Sequence, residues 1–216
     1  MTTVLFVHGL ESGPRGQKAA ALEAAGFTVV AGQMPCGRRA IARDPWVIAL
    51  GLLSLAGLIA ATSRGAPGFL IGVITLAILQ RYVRPPLTRR MFRLSVEVQR
   101  ALLKTNQIDV VVGSSFGGAV CVELLRTGAW KGPTLLLCPA HRLVAGRAWL
   151  PSPSLPVDAS HVVVVHGRRD ETVPLDHSRA LVKGTAAQLI EVDDEHRLAS
   201  TATAQNFAAW IKRTPG

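Results

Sequence analysis

Cysteine is scarce in this chain. Only Cys36, Cys121 and Cys138 occur among 216 residues. The number is odd and the spacings are wide, which excludes a disulfide framework and a CxxC metal site, so no metal is expected. Reduced thiols suit a cytoplasmic domain. Cys138 ends the apolar run Leu135-Leu136-Leu137-Cys138 and is expected to be a small buried hydrophobe. Aromatic residues make up 5% of the chain, leaving no stacking platform for bases. Acids are also few: 14 Asp and Glu stand against 24 Lys and Arg, a net charge of +10. With nucleic acid disfavoured, that balance points to an anionic membrane surface. Met1-Thr2-Thr3-Val4-Leu5-Phe6-Val7 lacks the basic region of a secretory signal and reads as a first strand. No internal repeat is evident.

What is abundant is apolar residues, at 49%, with a mean hydropathy of +0.30. Such a chain is not disordered, and its length suits one domain. Short apolar runs alternate with helical spacing. Strands are expected at Val4–Val7, Phe27–Ala31, Ile108–Val112, Thr134–Cys138, Val162–Val165 and Gln188–Val192. Helices are expected at Gln17–Ala25, Arg93–Lys104, Ala119–Leu125, Pro174–Lys183 and Thr201–Lys212. The four valines at 162–165 call for a strand buried on both faces. This alternation implies a mostly parallel sheet of about six strands with helices on both faces. Arg142–Pro156, with three prolines in its last six residues, reads as an irregular loop.

One block breaks the rhythm. Trp46–Thr62 carries no charge, and after Ser63-Arg64-Gly65 the apolar stretch resumes to Val83. Each stretch would span roughly 26 Å as a helix, just short of a hydrocarbon core of about 30 Å. Together they read as a helical hairpin. Arg38, Arg39 and Arg43 precede it, Arg81, Arg84, Arg89, Arg90 and Arg93 follow it, and the turn has Arg64 alone. By the positive-inside rule both ends face the cytoplasm. Gly68 with Gly72, and Gly57 with Ala61, are spaced to let two helices approach. The alternatives are an apolar lid or a dimer interface in a soluble cytoplasmic protein. Residues 38–90 form this insert, and 1–37 with 91–216 form the remaining domain.

Four motifs carry chemistry. Gly113-Ser114-Ser115-Phe116-Gly117 is a G-x-S-x-G between an expected strand and an expected helix, the context that motif requires. Ser115 is the candidate nucleophile, and Gly113 and Gly117 are the small neighbours that a sharp elbow needs. His8-Gly9 ends the first strand, so the N–H of Leu10 and that of Phe116 could hold an oxyanion. His8 itself is read as shaping the loop. Asp170 follows the valine strand and is preferred over Glu171 as the acid that orients a histidine; His166 is read as structural. His196, after the last strand, stands where the base belongs in the order Ser…Asp…His. Asp193, Asp194 and Glu195 beside it could raise its pKa or be an exposed acidic loop. His141, His161 and His177 are expected to be structural or solvent-facing.

VLFVHGLESGPRGQKA, VVVGSSFGGAV, VVVVHGRRDETVP and VDDEHRL together resemble a family of compact bacterial α/β-hydrolases, serine esterases that need no cofactor. The resemblance implies an α/β-hydrolase fold with the first strand between the second and third. It implies Ser115, Asp170 and His196 as triad, with Leu10 and Phe116 as oxyanion donors. A small-molecule or lipid-like carboxylic ester is the expected substrate. The Trp46–Val83 hairpin, not a usual part of such enzymes, would place the domain at the cytoplasmic face of the inner membrane. A thioesterase, amidase or acyltransferase would use the same triad, and a non-catalytic membrane scaffold is the third reading.

Overall fold

Four consecutive valines can be buried together only if both faces of their sheet are covered. Val162 and Val164 face one apolar cluster, and Val163 and Val165 face the other. In the computed structural model, residues 1–10, 12–37, 42–63 and 65–214 are described. Glu11 of the loop after the first strand, and Arg38, Arg39 and Arg64 around the hairpin, lie outside the described residues.

Six strands form one wholly parallel sheet: β1 (Thr3–Val7), β2 (Thr28–Val30), β3 (Val110–Ser114), β4 (Thr134–Leu137), β5 (Val162–Gly167) and β6 (Gln188–Val192). Their order is β2-β1-β3-β4-β5-β6, so the first strand lies between the second and third as expected. Register follows burial: Leu5 pairs with Val111, and Leu136 with Val164. Helices α1 (Gln17–Ala24) and α7 (Ala204–Ile211) cover the face of Val4, Phe6 and Val163 through Leu22, Phe207 and Trp210. The other face, with Leu5, Val7 and Val164, meets the remaining helices of the domain. These are α4 (Phe116–Arg126), α5 (His141–Ala148), α6 (Leu175–Val182) and the C-terminal half of the long helix described below.

Two elements differ from expectation. Residues 142–148 belong to α5, not to an irregular loop. His141, Val144, Ala145 and Ala148 are all buried, and their spacing is one helical stripe. Trp149, in the left-handed region at φ 51°, ends the helix before the prolines at 151 and 153. The second difference is larger. After α2 (Pro45–Thr62), a single helix, α3, runs 41 residues from Gly65 to Thr105, fusing the second hairpin arm with the helix expected at Arg93–Lys104.

Pro85 and Pro86 lie inside α3. Each removes one backbone bond, to the carbonyls of Arg81 and Tyr82, and an interior proline costs about 3 kcal/mol. Contacts beyond the prolines keep the helix. Arg89 donates to the carbonyls of Ala148 and Trp149, Phe92 meets Phe116 edge-on, and Val96 enters the core.

The hairpin itself is outside both cores. Asp44 caps α2 by accepting from the Trp46 amide, Pro45 stands at its first position, and Arg90 of α3 pairs with Asp44. No residue of α2 is buried. It packs principally against α3, where a Cβ on Gly72 would lie 2.8 Å from that of Ala61. Of the expected small-residue pairs, Gly72 and Ala61 make the close approach, while Gly57 faces open space.

Candidate active site

The C-terminal edge of the sheet gathers the expected residues. β3 ends at Ser114, and Ser115 takes φ 54° and ψ −114° before α4 begins at Phe116. This is a rarely populated backbone state for a residue with a side chain, worth about 1–3 kcal/mol of strain. Three bonds hold it. The Ser115 amide donates to Leu137 O at 2.9 Å, and the Ser115 carbonyl accepts from Ala119 and Ala140. The turn also needs its glycines. A Cβ on Gly117 would fall 2.0 Å from the Val7 carbonyl oxygen, and one on Gly113 would lie 2.5 Å from Cys121 Sγ.

So held, Ser115 Oγ lies 3.0 Å from His196 Nε2, and His196 Nδ1 lies 2.7 Å from Asp170 Oδ2. Nδ1 faces a carboxylate and therefore carries the proton; Nε2 is left to accept from the serine hydroxyl. Asp170, not Glu171, reaches the histidine: its side chain is wholly buried while Glu171 is exposed. Asp170 Oδ1 accepts from the Thr172 and Val173 amides at 2.9 and 2.8 Å. Burial alone would push this carboxyl up. Hydrogen bonds from His166 and His196, then from the Val173 amide, outweigh it and hold the group well below the usual carboxylate range.

His166 is more than a core histidine. Its Nε2 lies 3.2 Å from Asp170 Oδ2 and 2.9 Å from Val173 O, and its Nδ1 lies 2.7 Å from Ser178 Oγ. Two acceptors at Nε2 place the proton there, so the Ser178 hydroxyl donates to Nδ1. The triad acid expected from the sequence is thus held by two histidines. Cys138 is buried, as expected, but its thiol also stands beside Asp170. Burial pushes that thiol up to about 12, so it remains protonated and donates. Cys138, His166 and Asp170 have their donor atoms within 4.8 Å of one another. Both ring nitrogens of His166 are hydrogen-bonded, and Asp170 holds His196 and two amides, so these groups are already committed to one another within the protein.

The acidic loop is divided in role. Asp193 pairs with Arg169 at 3.1 Å. Asp194 is buried: Oδ1 accepts from the Glu195 amide, and Oδ2 accepts from the amides and hydroxyls of both Ser200 and Thr201. Burial raises this carboxyl, but the Glu195 amide and the Ser200 and Thr201 groups bring it down to about 2. It therefore ties down the loop that carries His196. Glu195 is exposed.

Across the site, Gly9 packs against the Ser115 turn, since a Cβ there would be 3.3 Å from Ser115 Cβ. Leu10 follows it, and Phe116 opens α4, so its amide has no intrahelical partner. His8 Nδ1 donates to Gly9 O at 2.7 Å, while Nε2 faces the Met34 amide, so this residue does shape the loop. Lys18, on α1, was not singled out in the sequence. Its Nζ donates to Ser114 Oγ at 3.1 Å, and burial lowers its pKa. His141 is buried against Pro139 O, and burial lowers it to about 4.

No protein-family model matches the chain, and no curated protein matches it in sequence. Solved structures do resemble it. A protein of the alpha/beta hydrolase superfamily from Xanthomonas campestris pv. campestris superposes with a TM-score of 0.58, at 21% identity, over 98% of this chain and 99% of its own. Alpha/beta hydrolase domain-containing protein 10 from mouse gives 0.59 at 15% identity, over 97% and 88%. Esterase PE8 gives 0.51 at 16% identity, over 99% and 93%. Likeness at such identities is likeness of fold. The six-stranded parallel sheet with helices on both faces is an α/β-hydrolase fold.

Proposed function

We propose that this chain is a serine hydrolase that cleaves carboxylic esters from a domain held at the cytoplasmic face of a membrane. The relay Ser115 Oγ, His196 Nε2, His196 Nδ1 and Asp170 Oδ2, with contacts of 3.0 and 2.7 Å, carries the reading. His196 takes the hydroxyl proton as Ser115 Oγ attacks the acyl carbonyl carbon. The Leu10 and Phe116 amides hold the resulting oxyanion, and Asp170 stabilises the imidazolium. When the intermediate collapses, the C–O bond to the alcohol breaks and His196 returns the proton to the leaving oxygen. A water, deprotonated by His196, then splits the acyl-enzyme and frees the acid. Residues 1–37 and 91–216 supply this chemistry.

Residues 38–90 supply the anchor. Pro45–Thr62 is, among the described residues, the one helix long and apolar enough to cross a membrane, with a mean hydropathy of 1.9 and none of that window buried. Trp46 is 70% exposed and Ile71 65%. An apolar surface of that extent is rare on a soluble monomer and needs a cover. At the root of the hairpin Trp46 and Tyr82 are exposed, and Tyr82 meets Trp149 edge-on at 6.0 Å. Such amphipathic rings favour the level of lipid headgroups. Because α2 packs principally on α3, the hairpin reads as an anchor in preference to a lid.

Turnover of p-nitrophenyl esters tests the chemistry. Ser115→Ala should reduce kcat by about 10⁴-fold or more, with loss of labelling by a fluorophosphonate probe. Wild-type turnover by that variant would sink the proposal.

A further inference from the structure

Two cavities at the root of the hairpin have no part in the relay around Ser115, and they meet at Pro86 and Arg90. One, about 380 Å³, is an apolar slot between α2 and α3, walled by Trp46, Val47, Leu50, Val83 and Leu87. The other, about 820 Å³, follows the groove between α3 and α4 to the loop at 150–154. Five arginines line it against two glutamates.

The donors of this second cavity are not all matched by acceptors. Arg89 is committed to the Ala148 and Trp149 carbonyls, and Arg126 makes a bidentate pair with Glu123 at 2.7 and 2.8 Å. Arg90 gives one nitrogen to Asp44. Arg93, one turn further, is exposed and has no partner among the described residues. Two turns beyond that, Arg100 gives one nitrogen to Thr127 Oγ1, while its Nε is buried with no hydrogen-bond partner. Guanidinium donors in this state call for an anion, and phosphate matches their fork geometry. The apolar slot opens at the same Arg90. A ligand filling both cavities would be anionic at one end and alkyl at the other.

We infer that the paired cavities bind an anionic phospholipid of the surrounding bilayer, its phosphate on Arg90 and Arg93 and an acyl chain in the slot between α2 and α3. This rests on the anchored reading given above. The exposed aromatics Trp46, Tyr82 and Trp149 put the arginine cavity at headgroup level, which commits the site to lipid over a soluble phosphate. Arg81, which stacks over Trp149 at 5.9 Å, belongs to the same layer.

Full-length protein would be reconstituted into phosphatidylcholine vesicles holding a minority of phosphatidylglycerol. Spin-labelled forms of each lipid would report the immobilised fraction. Phosphatidylglycerol should be retained over phosphatidylcholine by about 30-fold, the scale for two basic residues at a charged surface. Arg90→Gln with Arg93→Gln should remove most of that preference. Leu50→Trp should remove it as well, by filling the slot without changing charge. Unaltered p-nitrophenyl ester turnover would show that these variants are folded. Equal retention of the two lipids by the wild type would overturn the inference, whatever the variants do. So would a preference that survives Leu50→Trp, which would mark a general charge effect, or displacement of the lipid by free glycerol phosphate. Failure to enter vesicles at all would remove the anchored reading, and this site with it.

Discussion

Asp170 is the residue on which the candidate site turns, because it orients His196 and is itself held from three sides. Asp170→Asn should leave the backbone in place but offer Nδ1 the wrong partner, lowering kcat by about 10⁴-fold with little change in KM. His166 acts one step back, as a positioning residue. His166→Phe removes its bond to Asp170 Oδ2, at 3.2 Å, and should lower kcat by about tenfold while leaving KM near its original value. A purely structural role would show only in thermal unfolding. Asp194 acts through stability. Its folded pKa, about 2, is below the ordinary value of about 3.9, so its contribution is complete above pH 4 and is lost as pH falls from about 4 to about 2. Asp194→Asn should cost about 2 kcal/mol at neutral pH and flatten that acid limb in urea unfolding across pH. Ser115, Asp170 and His196 were legible because each follows a strand in a recognisable motif. His166, Cys138, Lys18 and the buried state of Asp194 were not. Lys18 and Cys138 meet partners from distant parts of the chain, Ser114 and Asp170, and the short-range bonds of His166 and Asp194 form only in irregular turns that carry no periodic pattern.

At the scale of elements, the strands could be read because a parallel sheet buried on both faces is written as short apolar runs, β-branched in β3 and β5 and leucine in β4. β3 and β5 differ from expectation only at their ends. The helices were harder. α5 hid in a segment that ends in prolines, since its buried stripe of His141, Val144, Ala145 and Ala148 mixes residue types. α3 hid for the opposite reason: Pro85-Pro86 and a run of arginines look like a break, yet packing at Arg89, Phe92 and Val96 carries the helix through. The hairpin is tight at one point. Gly72→Leu would drive a side chain into Ala61 and should lower the thermal midpoint in detergent, by about 1–3 kcal/mol of stability. Ester turnover should persist, because the hairpin lies outside both cores of the sheet.

For the whole molecule, the expected behaviour divides between the two parts. Full-length protein should require detergent after lysis. Replacing residues 46–83 by a short polar linker should give soluble protein that still turns over p-nitrophenyl esters, since the apolar clusters on both faces of the sheet draw on no residue of that segment. Full-length protein that stayed soluble and monomeric without detergent would defeat the anchored reading.

The sequence by itself determined the parallel sheet, the place of the Ser115 turn and the presence of an apolar pair of helices. These depend on hydrophobic period, on glycine where no Cβ fits, and on unbroken apolar length, all local properties. Only the tertiary structure decided that Asp170 and not Glu171 meets His196, that His166 supports that acid, and that the second hairpin arm and the helix before β3 are one rod through two prolines. Those outcomes depend on burial, on the path of the loop after β5 and on contacts such as Asp170 with His196 and Arg89 with Ala148, which offset local preferences worth a few kcal/mol.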